Sequence, residues 1–197
     1  MKIRKITWFV IILHVFLFLG IWANKSFVPS TSYEVGEKID SLNGVYVYYN
    51  GSVGNVSGRN TESGYNLGLK YQCVEFVKRY YYQHLNHKMP NSYGHAKDFF
   101  HHGLEDGSLN GDRNLIQYQN PGSSKPRVND LLVYAGHTFN TYGHVAIVSK
   151  VMESEIEVIQ QNPGPQSSSR VKYALVFEDR KWRIDQNRIL GWLRKDS

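Results

Sequence analysis

An α+β fold, in which one cysteine-bearing helix packs on an antiparallel sheet that bears a histidine, follows from three features of the sequence. One stretch, Gln72 to Leu85, spaces its apolar residues by three and four, the period of an amphipathic helix. Three apolar stretches, Asp130–Tyr134, Gly143–Val151 and Glu155–Asn162, follow one another across short gaps that suit antiparallel neighbours. With 41% hydrophobic content, the 197 residues suffice for one proper core but would be cramped as two domains.

Taken from the start, Lys2, Arg4 and Lys5 precede Ile6 to Trp22, a run in which His14 is the only ionisable residue. Cations before an apolar run mark an exported chain, because the positive end stays cytoplasmic. The run suits a signal anchor better than a cleaved signal peptide. It has nearly the length of a spanning helix, and Ile21 occupies a position where cleavage prefers a small side chain. Residues 1–23 are therefore expected to be a membrane anchor or signal peptide, with the domain outside the cytoplasm. Residues 24–44, with Pro29 and a Ser/Thr-rich stretch, read as a tether, and the domain proper as 45–197.

Val45–Tyr49 is β-branched and aromatic and ends at the Asn50-Gly51 turn signal; Gly51–Gly64 reads as a polar loop. In the helix, Val74, Val77 and Tyr81 fall on the buried face, with Glu75, Lys78 and Arg79 expected to be more exposed. Tyr80, Tyr81 and Tyr82 belong to core and helix surface, with one ring available to a groove. Gly103–Asn129 is polar and Gly-rich, and Lys181–Arg183 reads as a solvated strand.

Charge excludes one class of function. The net charge is +6, but Lys2, Arg4 and Lys5 supply three of those charges, and no Lys/Arg cluster is interleaved with aromatics. Nucleic acid is not expected as a partner.

Cys73 is the only cysteine. No internal disulfide is possible, so the thiol is buried, paired between molecules, or reactive. It falls in the first turn of the helix, where free amide N–H groups and the helix dipole favour a thiolate and lower its pKa. Gln72 beside it offers a side-chain donor to a developing oxyanion. His144 opens the second strand, and Gln160, Gln161 and Asn162 end the third, so imidazole and amides can meet at one end of adjacent strands. A thiol, a base and a group that fixes the tautomer of that base are the parts of nucleophilic catalysis.

GYNLGLKYQCVEFVKRYYY, then GHVAIVSKV, then EVIQQN, resembles the cysteine, histidine-dependent amidohydrolase/peptidase (CHAP) family. It is most similar to the branch that includes the amidase half of bifunctional glutathionylspermidine synthetase/amidase. The resemblance runs from about residue 45 to the C-terminal ILGWLR, Ile189–Arg194. It implies a papain-like fold and cleavage of an amide through a Cys73 thioester, with His144 as base and the Cys73 N–H and Gln72 at the oxyanion. Many relatives place a glutamate where this chain has Gln160. The resemblance assigns the orienting role to Gln160, with Asn162 in reserve, and the missing charge implies weaker activation.

No cofactor and no metal are expected. His84 and His87 share a helix face, with His95, His101 and His102 beyond, but no acidic or thiol cluster completes a ligand set. His137 precedes His144 in a loop and is a minor candidate. If the domain is exported, peptidoglycan stem peptides are the abundant amides within reach. The alternatives are glutathionylspermidine, to which the resemblance points, and a weakly catalytic wall-binding module. The residues leave the oligomeric state open.

Overall fold

The computed structural model describes residues 33–164 and 167–196. The 1–23 segment and most of the tether lie outside them. Twelve strands and one α-helix are assigned in this part, an α+β arrangement dominated by sheet. Eight strands form one sheet in the order β11-β10-β9-β8-β7-β12-β6-β5, every neighbouring pair antiparallel. They are β5 (Ser108–Asn110), β6 (Leu115–Gln119), β7 (Leu131–Tyr134), β8 (His144–Val151), β9 (Glu155–Ile159), β10 (Arg170–Glu178), β11 (Lys181–Ile184) and β12 (Ile189–Arg194). Two hairpins stand apart from this sheet: β1 (Lys38–Leu42) with β2 (Val45–Tyr48), and β3 (Arg59–Glu62) with β4 (Tyr65–Leu69).

Alternation along the central strands builds a core on each face of the sheet, as a period of two requires. Leu131, Val133, Val145 and Ile147 belong to one core, with Phe76, Val77, Tyr80 and Tyr81 of the helix α1 (Cys73–Gln83). Leu132, Tyr134, Ala146 and Val148 belong to the other, with Trp192, Leu175 and Ile184. Apolar on both faces, β7 and β8 are central strands. Helix α1 packs against β8, β4 and β2.

Four expectations are corrected. The sheeted part starts before Val45: β1 lies inside the 24–44 span and is held where Asp40 takes the guanidinium of Arg170 from β10, at 2.9 Å. The span read as the loop Gly51–Gly64 contains β3, and the polar span Gly103–Asn129 contains β5 and β6. Glu75, Lys78 and Arg79 are buried, because the β3–β4 hairpin covers the outer face of α1. None of Tyr80, Tyr81 and Tyr82 lines the cleft described below. Tyr80 and Tyr81 are core, and Tyr82 packs on Tyr65 with ring centroids 5.5 Å apart.

Burial of the helix charges is made tolerable by internal partners. Glu75 and Arg79, one turn apart, pair at 2.6 Å. Asn60 donates to Glu75 at 2.7 Å and Gln161 donates to it at 2.9 Å. Gln161 also donates to the Gln72 carbonyl at 3.0 Å and accepts the Tyr48 N–H at 2.8 Å. A single buried amide thus ties the end of β9 to the start of α1 and to β2.

Candidate active site

Cys73 opens α1, where the first-turn N–H groups have no side-chain cap. Its neighbour β4 comes very close: a Cβ on Gly68, whose φ is +131°, would meet the backbone of Glu75 at 3.2 Å. A glycine is therefore required for the helix start to sit on this strand. His144 opens β8 and pairs in register with Tyr134 of β7, their rings 5.5 Å apart. Gly143 before it has φ +77°, and a Cβ there would lie 2.5 Å from the Tyr134 carbonyl oxygen. Only glycine lets the chain enter β8 with the imidazole at this place.

Both residues line one cleft of about 530 Å³, together with Gln72, Asn162, Val53, Tyr93, His95 and Tyr142. The Cys73 sulfur is approached by the N–H of Val145, the residue after His144, and by the N–H groups of Val74 and Cys73 itself. These donors favour the thiolate, but burial outweighs them and pushes the thiol up to about 11. The expectation of a lowered thiol pKa is thereby overturned: a helix N-terminus acts through partial charges, and desolvation of the buried Cys73 side chain is the larger effect. Burial likewise depresses His144 to about 4, opposed by its bond to Gln160 and reinforced by the Arg188 cation. At neutral pH the resting thiol and imidazole are both uncharged.

Oε1 of Gln160 lies 2.9 Å from Nε2 of His144, and Nε2 of Gln160 donates to the Ser168 carbonyl at 2.9 Å. A carbonyl can only accept, so the Gln160 NH2 is fixed toward Ser168 and its oxygen toward the imidazole. That oxygen in turn requires a proton on His144 Nε2. Nδ1 is left with the lone pair.

Register explains the choice between Gln160 and Asn162. The Ile147–Ile159 pairing, carried on, sets Gln160 opposite Ala146 and hence on the same face as His144, within diagonal reach. Asn162 lies past the end of β9 and has φ +54°, which turns it away. Its amide donates to Val53 O at 3.0 Å and to Gln72 Oε1 at 2.9 Å. Asn162 is thus no partner of the imidazole but a support for Gln72. Gln72 itself spends both side-chain N–H donors on loop carbonyls, Val53 at 3.0 Å and Asn55 at 2.7 Å.

The remaining histidines scatter. His84 lies 3.0 Å from the Asn43 amide, and His87 is buried with Nε2 2.9 Å from the Arg113 carbonyl. His101 and His102 are exposed, and His137 sits in the exposed 137–140 turn. His95 belongs to the cleft wall, its ring tilted against that of Tyr142 with centroids 4.5 Å apart. Sequence reasoning placed it with the surface histidines and passed over Tyr93 and Arg59, which also line the cleft. The signal that was available is the position of His95 and Tyr93 in a loop, where clefts draw their walls.

Comparison with known proteins bears on these residues. A family model described as the CHAP domain matches residues 63–162, a span that starts before Cys73 and ends at Asn162. Two curated relatives come from Crithidia fasciculata. One is described as trypanothione synthetase, 26% identical over 145 residues, or 68% of this chain and 22% of the relative. The other is described as glutathionylspermidine synthase, 28% identical over 137 residues, or 64% of this chain and 19% of the relative. The aligned part is about a fifth of the length of each relative.

Proposed function

Because the chain belongs to the CHAP domain family, whose members are amidases and peptidases, we propose that it hydrolyses amide bonds through a thioester on Cys73. The observation that carries this reading is that Cys73 and His144 line one cleft while Gln160 leaves His144 Nδ1 as the basic nitrogen. The same placement, thiol at a helix start and imidazole at a strand start, supports a papain-like reading of the fold.

In the proposed reaction, Nδ1 of His144 takes the Cys73 proton as the sulfur attacks the amide carbon. Both charges arise together, at the base of a cleft where their mutual attraction is stronger than in bulk water. The carbonyl oxygen becomes negative and is received by the N–H groups at the start of α1. Gln72 joins them only by exchanging a loop carbonyl for the substrate oxygen. The C–N bond then breaks, the amine leaves with the imidazolium proton, and a thioester remains. Water, deprotonated by Nδ1, attacks it, releasing the acid and restoring the thiol.

The substrate proposed first is the peptidoglycan stem peptide, on the expectation that residues 1–23 anchor or export the chain and put the domain outside the cytoplasm. Among the described residues no helix is long and apolar enough to cross a membrane, and residues 1–23 are not among them. A second substrate, the amide of glutathionylspermidine, is supported by the names of the two relatives.

The deciding experiment offers both amides to the full chain and to Cys73→Ala. Release of a peptide amine from sacculi, or of spermidine, should fall by about 10⁴-fold or more in the variant, with its melting temperature unchanged. Full activity in Cys73→Ala would overturn the assignment. Retention on sacculi without cleavage would favour a wall-binding module.

A further inference from the structure

Gln72, the side-chain donor of the proposed oxyanion site, is engaged at rest, and the way it is engaged singles out one further residue. Its two side-chain N–H bonds go to the carbonyls of Val53 at 3.0 Å and Asn55 at 2.7 Å, both in the largely exposed strap 51–57. Each of those carbonyls has a second donor. Val53 O also takes Asn162 Nδ2 at 3.0 Å, and Asn55 O also takes Asn50 Nδ2 at 3.1 Å. A peptide oxygen holds two lone pairs, so each stays satisfied by its second donor when Gln72 withdraws. The NH2 group of Gln72 is thus parked on acceptors that do not need it.

Asn50 is the less obvious of the two stand-ins. It is 3% exposed, and its Oδ1 accepts the Tyr71 N–H at 2.9 Å, which turns its NH2 group toward the strap. There it donates to Ser52 O at 2.7 Å as well as to Asn55 O, while its own carbonyl accepts Asn55 Nδ2 at 2.9 Å. Tyr71 immediately precedes Gln72, so one buried amide grips both the chain entering α1 and the strap that Gln72 serves. Apolar packing adds little here, since Val53 and Val56 are exposed and belong to neither core. The strap is held by hydrogen bonds, and exchanging one of them is a small local event.

We infer that Asn50 is a positioning residue for amide hydrolysis: by holding the strap and standing in at the Asn55 carbonyl, it lets Gln72 transfer an N–H from the strap to the oxyanion as it forms. The inference rests on the amidohydrolase reading of Cys73 and His144. Asn162 does the matching service at Val53 and holds Gln72 Oε1 at 2.9 Å, so the amide keeps its place while its NH2 group changes acceptor. Without Asn50, the Asn55 carbonyl would lose its last side-chain donor whenever Gln72 left it. A carbonyl left unpaired in a partly buried place opposes that transfer.

Two reagents acting on the same thiol separate this role from a structural one. p-Nitrophenyl acetate acylates Cys73: the sulfur bonds to the carbonyl carbon through a tetrahedral oxyanion, p-nitrophenolate leaves, and His144 takes the thiol proton. Iodoacetamide alkylates the same sulfur by displacing iodide, with no oxyanion. Both rates are measured on the full chain at one fixed pH and corrected for the background on Cys73→Ala. Gln72→Ala should slow acylation about 100-fold. Asn50→Ala should slow it about tenfold, the effect of an unmade hydrogen bond, and change alkylation by less than about twofold. In the Gln72→Ala background, Asn50→Ala should slow acylation by no more than about twofold further, because the donor it serves is gone. Asn50→Asp keeps the acceptor for the Tyr71 N–H but not the donor, so it should reproduce the selective loss. It carries the test if circular dichroism shows Asn50→Ala unfolded. Equal slowing of both reagents, unchanged or faster acylation, or additive losses in the double variant would overturn the positioning role. Those results leave the cleavage test with Cys73→Ala standing. Acylation of the unaltered chain no faster than that of Cys73→Ala would instead defeat the amidohydrolase reading, and this inference with it.

Discussion

The side-chain oxygen of Gln160 holds Nε2 of His144 at 2.9 Å, and the carbonyl of Ser168 holds the other end of that amide. A neutral residue therefore fixes the imidazole tautomer by geometry where a carboxylate would do so by charge. Gln160→Ala should lower kcat about 100-fold, because nothing then selects the tautomer with a basic Nδ1. Gln160→Glu should raise the His144 pKa from about 4 by more than one unit, since a carboxylate stabilises the imidazolium. Proton NMR titration of the imidazole reads this directly, and an unmoved His144 would refute the contact.

Stability should depend on pH through the same residue. His144 has a folded pKa of about 4 against 6.5 for the free side chain. Between those values the unfolded chain binds a proton that the folded chain refuses. Stability is thus complete above about pH 6.5 and declines as the pH falls toward 4, by up to about 3 kcal/mol. Denaturant titrations at pH 7 and pH 4.5 measure the loss, and His144→Gln should reduce it.

The thiol acts at the other end of the scale. With the folded pKa near 11 and the unfolded value near 9, the unfolded chain releases a proton first, and stability falls as the pH rises from 9 toward 11. In the resting protein, alkylation of Cys73 by iodoacetamide should accelerate into this alkaline range. A fast plateau below pH 7 would show instead a resting thiolate.

Gly143→Ala tests the entry to β8. The added methyl would meet the Tyr134 carbonyl oxygen at 2.5 Å and sit at φ +77°, so the chain must shift. A loss of about 1–3 kcal/mol in stability is expected, with a fall in kcat from misplacement of His144 that exceeds what the stability loss explains at 25 °C.

Glu75→Ala removes the acid at the centre of the Arg79, Asn60 and Gln161 contacts. It leaves the Arg79 cation buried, at a cost of about 3–5 kcal/mol. Thermal melting should show it, and Glu75→Gln should recover part of the loss by keeping the hydrogen bonds to Asn60 and Arg79.

How much of this was legible in the sequence depended on whether a feature repeats locally. The period of α1 and the apolar runs of β7, β8 and β9 are local, so the places of Cys73 and His144 at the starts of their elements could be read. The β3–β4 hairpin was not readable, because β3 (RNTE) carries no apolar alternation. Its role is to cover α1, and that made buried residues of Glu75, Lys78 and Arg79. Lys78 gives no sign of burial because its partners are backbone carbonyls, which carry no residue identity. The Gln160-Gln161-Asn162 run was visible as a group of amides. Which one faces the imidazole depends on the β8–β9 register and on the turn at Asn162, and both are tertiary facts.

The buried, protonated state of Cys73 has a consequence for how long such a protein survives. Peroxides and mixed disulfides react with thiolates far faster than with thiols. A sulfur that ionises only as it attacks a bound amide offers these oxidants little between turnovers. The sole thiol of the chain is thus shielded from the oxidation ladder by its own reluctance to ionise, with no partner cysteine needed to protect it.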